Sequence, residues 1–134
     1  MTWRPALLIA VGAGVIIAVA MVDPLPQDPL YHVFADQRQM LGIPNFMNVI
    51  SNLPFLVVGI LGWRVISSHS HTVTPTTTRA WVVFFFGIAL TSFGSGYFHL
   101  EPNNDSLVWD RLPMTIGFMS LVSIILSEYV SPVL

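Results

Sequence analysis

The chain has 134 residues, 54% hydrophobic and only 9% charged, with arginine as its sole permanent cation and a formal net charge of -2. Soluble domains run near a quarter charged, so this is a membrane composition, and its scattered arginines exclude the basic stripe that nucleic-acid binding needs. Cysteine is absent, which excludes disulfides, thiolate zinc sites and iron–sulfur clusters and leaves a metal only His, carboxylate, amide or water ligands.

Four apolar segments approach the roughly 20 residues that a membrane-crossing helix needs. The first, about Pro5–Val22, follows Arg4 and closes on the small residues Ala18–Ala20. It reads as a signal-anchor helix, and equally carries the features of a signal peptide with a small-residue cleavage site. With the breaker "DPLPQDP" it forms a first unit, residues 1–29. The second unit, residues 30–134, opens with the polar segment Tyr31–Asn52, whose end overlaps the second span, about Asn48–Ile66. The linker "SSHSHTVTPTTTR" holds an H-x-H pair, His69 and His71, which in so Ser/Thr-rich a loop reads as solvated more readily than as metal-binding. A third span, about Ala80–Leu100, is joined by the short turn "EPNNDS" to a fourth, about Leu107–Glu128. The expected fold is therefore an all-α membrane protein with four transmembrane helices.

Charge sets the expected orientation, because cytoplasmic loops favour Arg and each span reverses the side. With the N-terminus inside, Arg4, Arg64 and Arg79 are cytoplasmic, while Asp23, Asp28, Asp36, Glu101, Asp105 and Asp110 lie outside. Arg38 and Arg111 break this pattern, each beside or near an acid able to pair with it. Aromatic residues at span ends, Trp3, Trp63, Trp81, Tyr97, Trp109 and Tyr129, match interfacial belts. A multi-pass protein of a bacterial inner membrane is the expectation.

On that topology the third span delivers Ser95 and His99 to its outer end, four residues apart and so on one helical face. Asp110 starts the fourth span on the same side, and the intervening turn is short enough to make the two helices antiparallel neighbours. Ionisable groups at the edge of an apolar core are paired, hydrated or functional, since an uncompensated charge there costs at least ~2.5 kcal/mol. Each residue also has a plainer role: an interfacial imidazole for His99, a helix-terminus acid or Arg111 partner for Asp110, a packing residue or self-bonded hydroxyl for Ser95, and inter-helix hydrogen bonds for Asn48, Ser51 and Asn52.

Ser-x3-His followed by Asp eleven residues after the His, as Ser95, His99 and Asp110 stand here, resembles the first half of the alkaline ceramidase family, within the CREST superfamily of membrane hydrolases. The stretch "IPNFMNVISNLPFLVVG", Ile43–Gly59, is similar to that family's N-x-I-S-N-x-P-F block. The resemblance covers about Tyr31 to Glu128. It implies a seven-helix core in which three histidines and a water hold zinc, with His99 as the first of those histidines. Asp110 is then implied to handle the protons of the bound water, and Ser95 to steady the developing oxyanion. The implied reaction cleaves the amide of a ceramide-like N-acyl lipid to a fatty acid and a sphingoid base. The family's later H-x3-H has no counterpart after His99, so the resemblance makes this chain an N-terminal part, a short relative, or half of an assembly whose zinc site another segment completes. Calcium is a second implied cofactor: in "FADQRQMLGIPN" Asp36 stands for one acidic ligand and Asn45 falls where the family has a Glu, which lowers the carboxylate count and the expected affinity, and an Asp36–Arg38 surface pair with an asparagine cap is the equal alternative.

Two readings from other classes stand beside the hydrolase: a small four-span transporter subunit and a non-catalytic membrane scaffold. Transport usually needs an ionisable residue in mid-span, and none of the four apolar segments carries one near its centre.

Overall fold

A computed structural model describes residues 3–68 and 75–130, and the His69–His71 pair lies outside them. The described residues are helical with no strand. Five α-helices follow in order: α1 (Trp3–Ala20), α2 (Phe46–Ile50), α3 (Leu53–Ser68), α4 (Pro75–Leu100) and α5 (Asn104–Ile125), the last running into a π-helical turn, Leu126–Val130. Three segments are long and apolar enough to cross a membrane: Phe46–Ser68, Thr77–Leu100 and Asn104–Tyr129. Within α1 the described apolar stretch, Ile9–Ala20, is shorter. The protein is thus a helical, membrane-type chain with three spanning-length helices and a shorter apolar one.

The second span is broken where its sequence requires it. Pro54 has no N–H to give the Ile50 carbonyl, and its ring crowds that turn, so α2 ends and α3 begins after two intervening residues. Side chains make good the loss: Ser51 Oγ (2.9 Å) and Asn52 Nδ2 (2.8 Å) both donate to the Asn48 carbonyl.

α4 is the centre of the assembly, with α3 on one side and α5 on the other. Both seams rely on glycine where backbones meet. A Cβ at Gly59 would stand 2.7 Å from the Ala89 backbone nitrogen, and one at Gly62 would enter the Phe85 ring. On the other side, a Cβ at Gly87 would stand 2.8 Å from the Gly117 nitrogen, and one at Gly94 would collide with the Trp109 carbonyl oxygen. Gly87 and Gly94 are seven apart and so share one face. Opposite them, α5 presents Ser106, Pro113, Gly117, Ser120 and Ile124, all buried and spaced three, four or seven apart. Without a hydrophobic drive between helices in lipid, such small-residue contacts allow the close packing that holds them. By contrast, an apolar groove of about 350 Å³ stays open between α3 and α4, lined by Gly59, Trp63, Val82, Phe85 and Phe86.

Candidate functional site

The junction where α4 ends and α5 begins is built by two local devices. Asn103 and Ser106 form a reciprocal cap, with Asn103 Oδ1 accepting from the Ser106 nitrogen (2.8 Å) and Ser106 Oγ accepting from the Asn103 nitrogen (3.1 Å), so α5 starts with only three residues between it and the end of α4. Pro113 then leaves the Trp109 carbonyl without its usual donor four residues on, and Gly94 packs its backbone against that carbonyl. Since Ser95 follows Gly94 and Asp110 follows Trp109, this contact brings the serine and the aspartate to one level.

Ser95 is 8% exposed. Elsewhere in α4 and α5, Thr91, Thr115, Ser120 and Ser123 each return a hydroxyl hydrogen bond to the carbonyl four residues earlier. Ser95 makes no such bond, so the self-bonded alternative does not describe it. One turn further out, His99 keeps its Nδ1 buried without a partner. No ion pair joins His99 and Asp110 within 4 Å among the described residues. The three residues singled out by spacing therefore share one junction, with a gap between the aspartate and the histidine.

A cap formed by residues 27–48 covers this junction. Its N-terminal end is tied down by the Gln27 nitrogen donating to Asn104 Oδ1 (2.9 Å), then by a 3-10 turn, Pro29–His32, capped by Asp28. Tyr31 of that turn accepts a hydrogen bond from Arg111 (3.3 Å), whose guanidinium also lies over its ring at 5.7 Å. Arg111 thus takes an aromatic partner in place of the neighbouring acid expected from sequence, whereas Arg38 does pair with Asp36, at 2.6 Å. That guanidinium holds the Asp36 carboxyl below the usual carboxylate range.

Of the two calcium candidates, Asp36 gives one carboxylate oxygen to Arg38 and keeps the other buried and unpartnered. Asn45, in the left-handed region with φ 47°, donates its amide to the carbonyl of His99 at 2.8 Å. That carbonyl belongs to the last turn of α4, where no helical donor remains. Asn48 holds the cap in the same way, donating to the Asp36 carbonyl at 2.8 Å. The asparagines read as inter-helix connectors thus tether the cap and trim the break between α2 and α3.

One residue escaped the sequence reading. His32 lies edge-on to Phe98 at 5.7 Å, and Phe34 bridges Phe98 (5.6 Å) and His99 (4.6 Å). Its only signal in the sequence is an imidazole set between aromatic residues in "YHVF".

No group of three or more His, Asp or Glu poised to hold a metal exists among the described residues. A catalytic zinc takes three protein ligands, more than His99 and Asp110 offer at this junction. Comparison with family models, with curated proteins and with solved structures returns no match for this chain.

Proposed function

We propose that the chain belongs to a membrane-embedded, zinc-dependent amidohydrolase of the alkaline ceramidase type, acting on the amide of ceramide-like N-acyl lipids. The observation that carries the reading is the junction itself: an unbonded Ser95 hydroxyl and an unpartnered buried His99 nitrogen near the end of α4, with Asp110 on the second turn of the facing helix α5. Those are the three positions the family pattern assigns to chemistry. In this reading the N-terminus is cytoplasmic, the junction faces the outer side, and a C-terminal continuation or second chain contributes the two remaining imidazoles.

When bound, zinc supplies a water of lowered pKa. The chain's own residues divide the other tasks. His99 would hold the zinc with its imidazole, on a helix end that the Asn45 bond to its carbonyl ties to the cap. The Asp110 carboxylate accepts a proton from the attacking water and returns it to the leaving amine. Ser95 Oγ, free of its own helix, donates to the oxygen that develops charge on the amide carbon. The apolar groove open between α3 and α4 suits an acyl chain.

Elemental analysis of detergent-purified protein tests this. Zinc is expected near one per chain once the 134-residue chain is combined with a segment carrying an H-x3-H helix, and His99→Ala should abolish it. Absence of zinc from both that form and the chain alone would overturn the proposal.

A further inference from the structure

Asn104, Val108 and Arg111, spaced four and three apart, lie on one stripe of α5, turned away from the stripe of Pro113 and Gly117 that meets α4. The linker before the cap runs past this outer stripe. Pro24 and Pro26 fix their own φ and supply no N–H, and residues 23–28 form no helix. The Gln27 nitrogen, donating to Asn104 Oδ1, fastens the linker to the start of α5. Between linker and helix remains a cavity of about 410 Å³, inside the roughly 300–1,000 Å³ of small-molecule sites.

The lining of this cavity is divided. Leu25, Leu107 and Val108 give it apolar walls, and its charged groups are Asp105 and Arg111. A guanidinium has five N–H donors, of which the Tyr31 hydroxyl takes one. No carboxylate lies within 4 Å of Arg111 among the described residues, and no cation within that distance of Asp105. The cavity therefore presents an unpaired cation and an unpaired anion six residues apart, about 9 Å along the helix axis, with apolar surface beside them.

That pattern selects the occupant. Inorganic phosphate would use Arg111 alone and leave the apolar walls in water, and an anionic lipid would face the Asp105 carboxylate. A quaternary ammonium is held by aromatic faces, which line no part of this cavity; a primary ammonium donates hydrogen bonds to a carboxylate. The position suits a lipid, because Trp109 is of the type that sits at a membrane–water boundary and Leu25 is 88% exposed. We propose that this cavity binds the phosphoethanolamine headgroup of a zwitterionic phospholipid, with its phosphate on Arg111, its ammonium on Asp105 and the start of its acyl chains on Leu25 and Val108. The site lies on the side of α5 away from α4.

The test uses the full chain in detergent micelles with 15N-labelled arginine, the Arg111 side-chain signals being assigned through Arg111→Gln. Three probes are added: dihexanoyl phosphatidylethanolamine, dihexanoyl phosphatidylcholine and free phosphoethanolamine. The first should shift the Arg111 signals saturably, the second should bind about tenfold more weakly, and the third should produce no saturable shift. Asp105→Asn keeps the size of an exposed side chain while removing its charge. It should bring phosphatidylethanolamine to the affinity of phosphatidylcholine and leave phosphatidylcholine unchanged. Arg111 signals unmoved by the lipids overturn the proposal, as do equal affinities for the two lipids in the native chain. Free phosphoethanolamine binding as tightly as the lipid overturns it too, since the site would then serve a soluble zwitterion. The measurement involves neither zinc nor turnover, so its outcome is independent of the hydrolase reading.

Discussion

α1 and α4 are both apolar helices carrying glycines, yet they behave differently. Every described side chain of α1 is exposed, and a Cβ at Gly12 or Gly14 would meet nothing within 4 Å. α4 is in contact with α3, α5 and the cap, and its Gly87 and Gly94 lie directly against α5. Spacing explains the difference. Gly12 and Gly14 are two apart and point to different sides of their helix, whereas Gly87 and Gly94 form one row. Opposite that row α5 offers Gly117 and a carbonyl released by Pro113. Glycine content alone does not make a helix interface; a row of small residues facing an equally accessible backbone does.

The largest expected effect tests that contrast directly. Gly94→Ala must push the Trp109 carbonyl away, and overpacking of this kind costs about 1–3 kcal/mol. Gly12→Ala replaces a poor helix former in open space and should leave stability unchanged or raise it by up to ~1 kcal/mol. Denaturation in mixed micelles reads both, and equal stabilities for the two variants would break the comparison.

The third partner of α4, the cap, gives a smaller effect. Asn45→Gly preserves the left-handed backbone while deleting the donor to His99, so it isolates the tether. A loss of about 1 kcal/mol is expected, together with a change in the His99 ring signals. Unchanged signals would show that only the turn conformation matters at this position.

Leu41, on the cap's turn between the bridged residues Met40 and Ile43, adopts φ 54° and is 89% exposed. A non-glycine side chain in that region costs roughly 1–2 kcal/mol. Leu41→Gly should therefore stabilise the cap by up to ~1 kcal/mol, after the entropy glycine returns to the unfolded chain. The sharpened contrast would be a cap that tightens on α4 with no effect on α1; slower amide exchange confined to residues 27–48 is the readout.

The smallest effect is on pH. Arg38 lowers the Asp36 carboxyl, so its contribution is complete above the ordinary carboxylate pKa, about 3.9, and is lost as pH falls through the lowered value. Cap opening followed by amide exchange should increase at the acid end of that range in the native chain. In Asp36→Asn this increment should be missing, and a retained increment would assign it elsewhere.

Much of the junction was legible from spacing. Ser95 and His99 at four residues, followed by a short capped turn and Asp110, is a local pattern in which helical period and turn length leave little freedom. Three features were not legible. Arg111 chooses Tyr31 over an adjacent acid, Asn45 reaches His99, and His32 settles on Phe98, because each depends on the path of the cap across the helix ends. Apolarity marks four segments; among the described residues three are long and apolar enough to span, and the apolar stretch described in α1, Ile9–Ala20, is shorter.

By itself, then, the sequence determined the apolar helices, the break at Pro54, the antiparallel α4–α5 pair and the gathering of Ser95, His99 and Asp110 at its end. These follow from contiguous residues, whose period and turn chemistry act over a few positions. Only the tertiary structure decided which glycines meet a backbone and which meet nothing, and where the cap lands. The bond from Asn45 to His99 spans 54 positions, and the loop between its ends has many paths that satisfy the same local preferences. Close backbone approach and the pairing of buried polar groups select among those paths.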